Sequence, residues 1–311
     1  MAVKRRVKYN IDKLRECYIQ PEGLFEQLMQ YSKNNYIDYE NFRLHIIDDG
    51  RGDNSDKQPM KIKANVLLAD GTFLGDFVFH SSMHYDGRCF FSFANSALYS
   101  QTNIMHGQKF NHQVDIDYIA TILGLKLNNH TEIEVAADVN YNIIAKVQKL
   151  VKDYHNYDMI VNGKRIIDEN RKIEGFGEYY GRSRAKRDKY PTLYFSQAKS
   201  DGLVLKVYDK SREIKEGNPQ KEYVEAWNEF GNQKIYRLEL KIKNEQFKKW
   251  LDYACGLLTE WGDFERSQGL LALEAYKSPL WQFGVNRLVY FRHRATHKVI
   301  TLFDIINGAK E

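Results

Sequence analysis

Apolar and polar residues alternate with the two-residue period of strands over much of the first third of the chain. The segments RLHIIDD, MKIKANVLLADGTFLGDFVFH and RCFFSFANSALYS carry this pattern. Ala69-Asp70-Gly71-Thr72 supplies turn residues for a hairpin inside the second segment, and DDGRGDNSDKQP has the composition of an exposed loop. The pattern predicts a β-rich N-terminal lobe over residues 1–110.

Helical periodicity appears beyond this lobe. VDIDYIATILGL predicts a short helix and TEIEVAADV a strand, and an amphipathic helix over about residues 141 to 155 follows from the spacing of Ile143, Ile144, Val147, Leu150 and Val151. Strands return in DMIVNGKRI, TLYFSQAKSDGLVLKVYDK and KIYRLELKI. We expect an α+β fold of mainly antiparallel sheet with helices packed on one face, a central lobe over 111–250 and a helical C-terminal segment over 251–311.

Composition narrows the class of protein. The formal net charge is +5, the pI is about 8.8 and aromatic residues make up 14% of the chain, which suits a nucleic-acid partner without requiring one. Three widely spaced cysteines indicate neither a zinc cluster nor a disulfide framework, and no apolar run reaches the ~18 residues of a membrane span. These features predict a cytoplasmic protein with no membrane association.

Three strands of the central lobe carry chemically active side chains on one face each. Alternation separates each strand into a core side and a polar side. The polar sides hold Glu132, Glu134 and Asp138 in TEIEVAADV, Lys206 and Tyr208 in LVLKVYDK, and Arg237 and Glu239 in KIYRLELKI. If these strands are neighbours, a tyrosine, a lysine and several carboxylates converge. The alternative is a solvated sheet face with surface ion pairs.

This grouping suits cleavage of a phosphodiester. Carboxylates bind a hard cation such as Mg²⁺ or Mn²⁺, the cation stabilises developing charge, and a phenolic oxygen attacks phosphorus. The cation and Lys206 would lower the pKa of the Tyr208 phenol. Four residues of extended strand span about 13 Å, so Glu134 and Asp138 bind the same ion only if the strand bends.

The block Lys206-Val207-Tyr208-Asp209-Lys210, closed by Glu213, resembles the replication initiation factor (Rep-trans) family of rolling-circle plasmids and filamentous phages. The nucleophile of that family falls on Tyr208. Glu134 to Asp138 is similar to its strand with two aspartates, and Arg237-Leu238-Glu239 to its Arg-hydrophobic-Glu strand. Two departures are Glu134 in place of an aspartate and Glu132 in place of an arginine, which put the reach of one ligand and one DNA contact in question.

The resemblance covers about residues 110 to 250 and implies a rolling-circle nuclease lobe. It implies a metal-dependent, site-specific DNA endonuclease and strand transferase that forms a covalent 5′-phosphotyrosine and leaves a 3′-hydroxyl primer. The implied site residues are Tyr208 and Lys206 for catalysis, Glu134, Asp138 and Glu239 for Mg²⁺ or Mn²⁺, and Lys210 and Arg237 for DNA. The implied partners are single- and double-stranded origin DNA, a host helicase and a second copy of the chain, in the cytoplasm of a bacterium or a phage-infected host.

Basic runs elsewhere are further candidates for DNA contact. RSRAKRDKY precedes the tyrosine strand and contributes Arg182, Arg184, Lys186, Arg187 and Lys189, either as a phosphate-contacting loop or as a solvated charged loop. A weaker candidate is the run Arg292-His293-Arg294 with His297 and Lys298. Lys4, Arg5, Arg6 and Lys8 could form an arm on DNA, although an untethered terminus is the commoner explanation for such residues. A second tyrosine for strand transfer is left open among Tyr179, Tyr180 and Tyr194.

Other functions remain open at the level of sequence. A relaxase or transposase would use the same tyrosine and carboxylates, and a DNA-binding protein without catalysis would use the aromatic strands alone. A tyrosine recombinase is disfavoured because Tyr208 precedes the C-terminal Arg-His run. His80 and His84 lack the spacing of a two-histidine metal motif and are interpreted as ordinary polar residues.

Overall fold

A computed structural model describes residues 5–51, 59–102, 112–167, 175–179, 191–196, 202–217, 219–257 and 269–308 of the chain. The strands are β1 (Val7–Ile19), β2 (Tyr36–Asp38), β3 (Phe42–Asp48), β4 (Lys61–Leu68), β5 (Phe73–His80), β6 (Arg88–Phe93), β7 (Lys126–Val139), β8 (Tyr157–Val161), β9 (Lys164–Arg165), β10 (Phe176–Tyr179), β11 (Thr192–Ser196), β12 (Leu203–Asp209), β13 (Tyr236–Lys243), β14 (Val289–His293) and β15 (Val299–Thr301). The helices are α1 (Leu24–Leu28), α2 (Asn95–Thr102), α3 (His112–Ile122), α4 (Ile143–Lys152), α5 (Lys210–Gly217), α6 (Tyr223–Asn228), α7 (Asn244–Leu257), α8 (Gly269–Leu288) and α9 (Leu302–Asn307), with short 3-10 turns at Tyr85–Gly87 and Pro219–Lys221.

The chain folds into two compact units. The first unit comprises Met1–Asp12, Glu134–Asp263 and Leu273–Glu311, and the second comprises Lys13–Ile133 and Phe264–Ala272. Strands β1 and β7 are each divided between the two units, with one part of the strand in each unit. Each unit thus combines segments that are distant in sequence, whereas the predicted division at residues 110 and 250 follows the order of the chain.

The second unit contains the strand order β7-β1-β6-β5-β4-β3-β2, using the parts of β1 and β7 that belong to it. The pairs from β1–β6 through β2–β3 are antiparallel. Apolar side chains such as Leu44, Ile62, Phe77 and Phe91 are fully buried on one face. Because side chains alternate along each strand, the intervening residues lie on the opposite face.

The first unit contains the order β10-β11-β12-β13-β7-β1 and a separate sheet of order β15-β14-β8-β9. Helix α4 packs on β12 and β8, and its amino end is capped because the Asn142 Oδ1 accepts from the Ala145 amide at 3.0 Å. Helix α8 packs on β13, where the indole of fully buried Trp281 donates to the Leu238 carbonyl at 3.2 Å.

The large antiparallel sheet with packed helices confirms the predicted α+β class. The β4–β5 hairpin forms where the Ala69-to-Thr72 turn was predicted, with the Leu68 amide donating to the Thr72 carbonyl at 2.9 Å. The Asn162-Gly163 turn adopts φ values of 50° and 74°, as expected for a two-residue hairpin. Strand β1 and the β14–β15 hairpin, which follows helix α8 in the C-terminal segment, are among the elements that were not predicted.

The described helices include no candidate for a membrane-spanning segment. None of them combines the length and the apolar character needed to cross a bilayer.

Candidate active site

Strands β12 and β13 of the first unit place the predicted tyrosine, lysine and glutamate beside one another. In their antiparallel register Lys206 is opposite Glu239, and Tyr208 is opposite Arg237. Directly opposite residues share one face of a sheet, and so do residues two apart on one strand. The register therefore puts all four side chains on a single face.

Glu239 accepts hydrogen bonds from both catalytic candidates. Its Oε1 accepts from the Lys206 ammonium at 2.7 Å, and its Oε2 accepts from the Tyr208 hydroxyl at 2.8 Å. The glutamate is 6% exposed, whereas Lys206 and Tyr208 are half-buried. A phenol that points at a buried carboxylate has a proton acceptor already in position.

Three carboxylates of the first unit come together at this point. Oxygens of Asp12, Glu134 and Glu239 lie within 4.8 Å of one another. Asp12 comes from β1, Glu134 from β7 and Glu239 from β13, and the Lys241 ammonium lies 3.8 Å from Glu134. An all-oxygen donor set of this size suits a hard divalent cation of the Mg²⁺ or Mn²⁺ type.

Asp138, the third carboxylate of the predicted metal site, has different neighbours. It is fully buried and forms a two-point ion pair with Arg237, at 2.7 Å to Nε and 2.8 Å to Nη2. Asn228 and Asn10 also donate to it, at 2.8 and 3.2 Å. The strand does not bring Asp138 to the Asp12, Glu134 and Glu239 cluster, in keeping with the spacing limit set by an extended strand.

Arg237 connects the buried pair to the carboxylate cluster. Its Nη1 donates to Asp12, and the whole side chain is fully buried. The guanidinium therefore orients Asp12 and Asp138 and offers no donor at the protein surface. Lys210, the other DNA candidate of this block, is also buried and donates to Glu213 at 2.6 Å.

The pKa values of the site follow from burial and charge. Burial raises the pKa of Tyr208 well above its usual value; Arg237 lowers it and Glu239 raises it further. Burial lowers the pKa of Lys206, but its ion pair with Glu239 and the nearby Glu134 outweigh this effect and raise it. As described, the site thus holds Tyr208 as a phenol and Lys206 as an ammonium.

An open sheet surface continues outward from Lys206. Tyr194 on β11 is opposite Lys206, and Gly177 on β10 is opposite Tyr194. Tyr194 and Tyr179 are 37% and 51% exposed and line a cavity of about 390 Å³ together with Gly177 and Ser196. Two of the three candidates for a second tyrosine therefore border this cavity, and Tyr180 lies outside the described residues.

The remaining DNA candidates come from three separate parts of the chain. Arg182, Arg184, Lys186, Arg187 and Lys189 all lie outside the described residues. Arg292 is exposed on β14, and Arg294 pairs with Asp158 at 2.9 Å. Lys8 belongs to β1 rather than to a free arm, and it donates to the Trp227 carbonyl at 2.9 Å.

Asp12 is the site residue that the sequence did not reveal. Residues near the amino terminus were interpreted as an untethered terminus or as a basic arm on DNA, so the strand was not recognised. The available signal was the alternation of polar Asn10 and Asp12 with apolar Ile11 in the segment that forms β1. All three of these residues are buried.

Comparison with known families places part of this site in a replication context. A family model that describes the N-terminal part of a phage replication-associated protein matches residues 171–259, a stretch that contains β12, β13, Tyr208 and Glu239. The match supports a relationship with phage and plasmid replication initiators and does not single out the Rep-trans group. A search of curated proteins found no match to the chain.

Proposed function

We propose that this chain, similar over part of its length to phage replication-associated proteins, is a replication initiator that nicks one strand of origin DNA. The observation that carries the proposal is the contact of Tyr208 and Lys206 with Glu239 at the edge of a three-carboxylate cluster. A solvated sheet face explains surface ion pairs, but it does not explain three acids that lie close together, two of them largely buried and one of them bonded to a tyrosine.

The residues fit a divalent cation. Asp12, Glu134 and Glu239 would hold it, and the nearby Arg237 and Lys241 offset part of the negative charge of Asp12 and Glu134. When bound, Mg²⁺ or Mn²⁺ would neutralise part of the charge that develops on the phosphate. Asp138 is left out of the ligand set because the group of oxygens within 4.8 Å of one another does not include it, and because it lies fully buried in its pair with Arg237.

Tyr208 supplies the nucleophile. Its hydroxyl transfers its proton to Glu239, and the phenolic oxygen forms a bond to phosphorus while the bond from phosphorus to the 3′ oxygen breaks. The departing 3′ oxygen takes up a proton from water. The products are a 5′-phosphotyrosine and a free 3′-hydroxyl.

Lys206 and Arg237 support this reaction in different ways. Lys206 remains an ammonium and lies on the same face as the phenol, so it stabilises negative charge on the phosphate during attack. Arg237 is a positioning residue, since it contacts Asp12 and Asp138 from a fully buried site.

The decisive experiment is mass spectrometry of protein incubated with Mn²⁺ and single-stranded DNA from its own replicon. We expect an adduct on Tyr208 in the wild type and no adduct or nick with Tyr208→Phe. Tyr154→Phe is a matched control because Tyr154 is exposed and outside the site. An adduct on Tyr194 or Tyr179, or full nicking by Tyr208→Phe, would remove Tyr208 as the nucleophile.

A further inference from the structure

The second unit has a solvent-facing sheet surface rich in cations and aromatic rings. One side of β3 to β6 is fully buried, so the alternate residues of these strands face away from the core. The register aligns Lys61 with His80 across β4 and β5, and Cys17 with Phe90 across β1 and β6. We call the cluster on this side the Phe90 patch and define it by Arg15, Lys61, His80, Tyr85, Arg88 and Phe90.

Rings and cations are interleaved in the Phe90 patch. The Arg15 guanidinium lies over the Phe90 ring, at 4.7 Å from its centroid. His80 and Tyr85 contact the same ring edge-on, at centroid distances of 5.7 and 5.9 Å, and lie 4.7 Å from each other. Tyr85 is 66% exposed, so much of its side chain is accessible to a ligand.

The patch carries an excess of positive charge. The pKa of His80 is lowered by burial and further by the charges of Arg15, His84 and Lys61. Asp86, the acid beside Arg88, lies 4.0 Å away with a side chain that is 91% exposed. An exposed pair at this distance is screened by water and neutralises little of the local field.

The exposed Tyr85 ring is carried by a tight turn with an unusual backbone conformation. Tyr85 and Asp86 adopt φ values of 50° and 52°, a left-handed conformation that costs energy for non-glycine residues. The Gln20 amide braces the same turn by donating to the carbonyls of His80 and Gly87. Tyr85 is therefore presented by a turn that hydrogen bonds connect to the Gln20 side chain.

We propose that the Phe90 patch binds single-stranded DNA. Lys61, Arg88 and Arg15 would contact successive phosphates, and an unstacked base would lie on Tyr85. A partner with negative charge alone would need the cations but not the open ring, and paired bases of a duplex do not expose a face for stacking. The proposal is independent of cleavage at Tyr208.

Binding can be measured without cleavage. Full-length protein carrying Tyr208→Phe is titrated into a fluorescent oligothymidine of about 12 nucleotides, within the usual site size for such surfaces, over a series of salt concentrations. We expect Lys61→Gln and Arg88→Gln each to weaken binding and to reduce the slope of log affinity against log salt by about 0.7. Lys33→Gln, which removes an exposed lysine elsewhere in the second unit, is expected to change neither quantity.

Stacking is tested at Tyr85. Tyr85→Leu is expected to weaken binding about fivefold or more, while Tyr85→Phe retains affinity because it keeps the ring. Unchanged affinity and unchanged salt slope in Lys61→Gln and Arg88→Gln would overturn the proposal. Equal binding of a matched duplex with no effect of Tyr85→Leu would overturn the assignment to single strands. Because every protein in this assay lacks the Tyr208 hydroxyl, the outcome does not depend on whether Tyr208 is the nucleophile.

Discussion

At the scale of single residues, Arg237 has a structural role that is distinct from the chemical roles of Tyr208 and Lys206. Its guanidinium is fully buried and bonded to Asp138 and Asp12. Replacing one member of a buried ion pair leaves the other charge without compensation. We therefore expect substitutions of Arg237 to affect the stability of the fold first of all, and cleavage only through the positions of Asp12 and Asp138.

We expect Arg237→Leu to lower the free energy of unfolding by about 3 to 5 kcal/mol, because Asp138 would be left buried without its partner. Arg237→Lys should restore only part of this loss, since an ammonium cannot donate in the same two-point geometry. Urea unfolding measures both. Arg292→Leu, at an exposed arginine of the same unit, is the control; equal effects at the two positions would contradict the interpretation.

Glu16 and His130 of the second unit form a buried pair whose pKa shifts have opposite effects on stability. Burial raises the pKa of Glu16 to about 7 and lowers that of His130 to about 4. Their closest atoms, Glu16 Oε1 and His130 Nδ1, are 3.4 Å apart. On folding, Glu16 gains affinity for a proton and His130 loses it.

These shifts predict opposite pH dependences for the two single variants. Because the pKa of Glu16 is raised, the free energy of unfolding falls as pH rises from the pKa of Glu16 in the unfolded chain to about 7. Because the pKa of His130 is lowered, the free energy of unfolding rises as pH rises from about 4 to the pKa of His130 in the unfolded chain. In the wild type the two largely offset each other. Glu16→Gln removes the term that falls with pH, so its free energy of unfolding should rise more steeply with pH than that of the wild type. His130→Gln removes the term that rises with pH, so its free energy of unfolding should fall with pH relative to the wild type. Each change in slope should be at most about 1.4 kcal/mol per pH unit. Chemical denaturation at several pH values measures these slopes, and identical slopes in both variants would contradict the opposite pKa shifts of Glu16 and His130.

At the scale of elements, local pattern predicted the pieces that local pattern determines. Helix α4 and the β4–β5 hairpin follow from apolar spacing and from turn residues that are adjacent in sequence. Alternation along β12 and β13 was also enough to assign Lys206, Tyr208 and Glu239 to matching faces, and the strand register agrees with that assignment. These features depend on neighbours in sequence or on simple periodicity.

Elements that are stabilised by residues far away in the sequence could not be predicted from local pattern. Strand β1 contains buried Asn10, Asp12 and Glu16, which no hydrophobic pattern favours. Asp12 is compensated by Arg237, which lies 225 positions away in the chain. Sequence reasoning therefore could not find Asp12 as a site residue, and it assigned Asp138 and Arg237 to the metal and to DNA because their mutual ion pair was not visible.

The packing of α8 on the sheet yields a prediction for Gly284. A Cβ at this position would lie 2.6 Å from the Leu240 Cδ2, which belongs to a fully buried side chain. We expect Gly284→Val to lower the free energy of unfolding by about 1 to 3 kcal/mol through overpacking. Gly177→Ala, where an added Cβ meets nothing within 4 Å, is the control in thermal unfolding. A Gly284→Val protein as stable as wild type would show that α8 does not pack closely here.

At the scale of the whole molecule, a bound cation should stabilise the fold as well as support cleavage. A ligand that binds only the folded state adds about 2.7 kcal/mol at a hundredfold excess over its dissociation constant. We therefore expect Mn²⁺ to raise the Tm of the wild type, and to raise it much less in Asp12→Asn and Glu134→Gln. Glu245→Gln, an exposed acid outside the cluster, should respond like the wild type. Equal Tm shifts in all four proteins would remove these carboxylates from the ligand set.

The order in which the site residues occur along the chain has a consequence for synthesis on the ribosome. Asp12 and Glu134 are made first, and Tyr208 and Glu239 follow on β12 and β13. A nascent or prematurely terminated chain that ends before β12 thus has two acids but neither the proposed nucleophile nor its proton acceptor. Under the proposed mechanism the capacity to cut DNA appears only late in translation, so incomplete copies of the protein pose no nicking hazard to the genome of the cell that makes them.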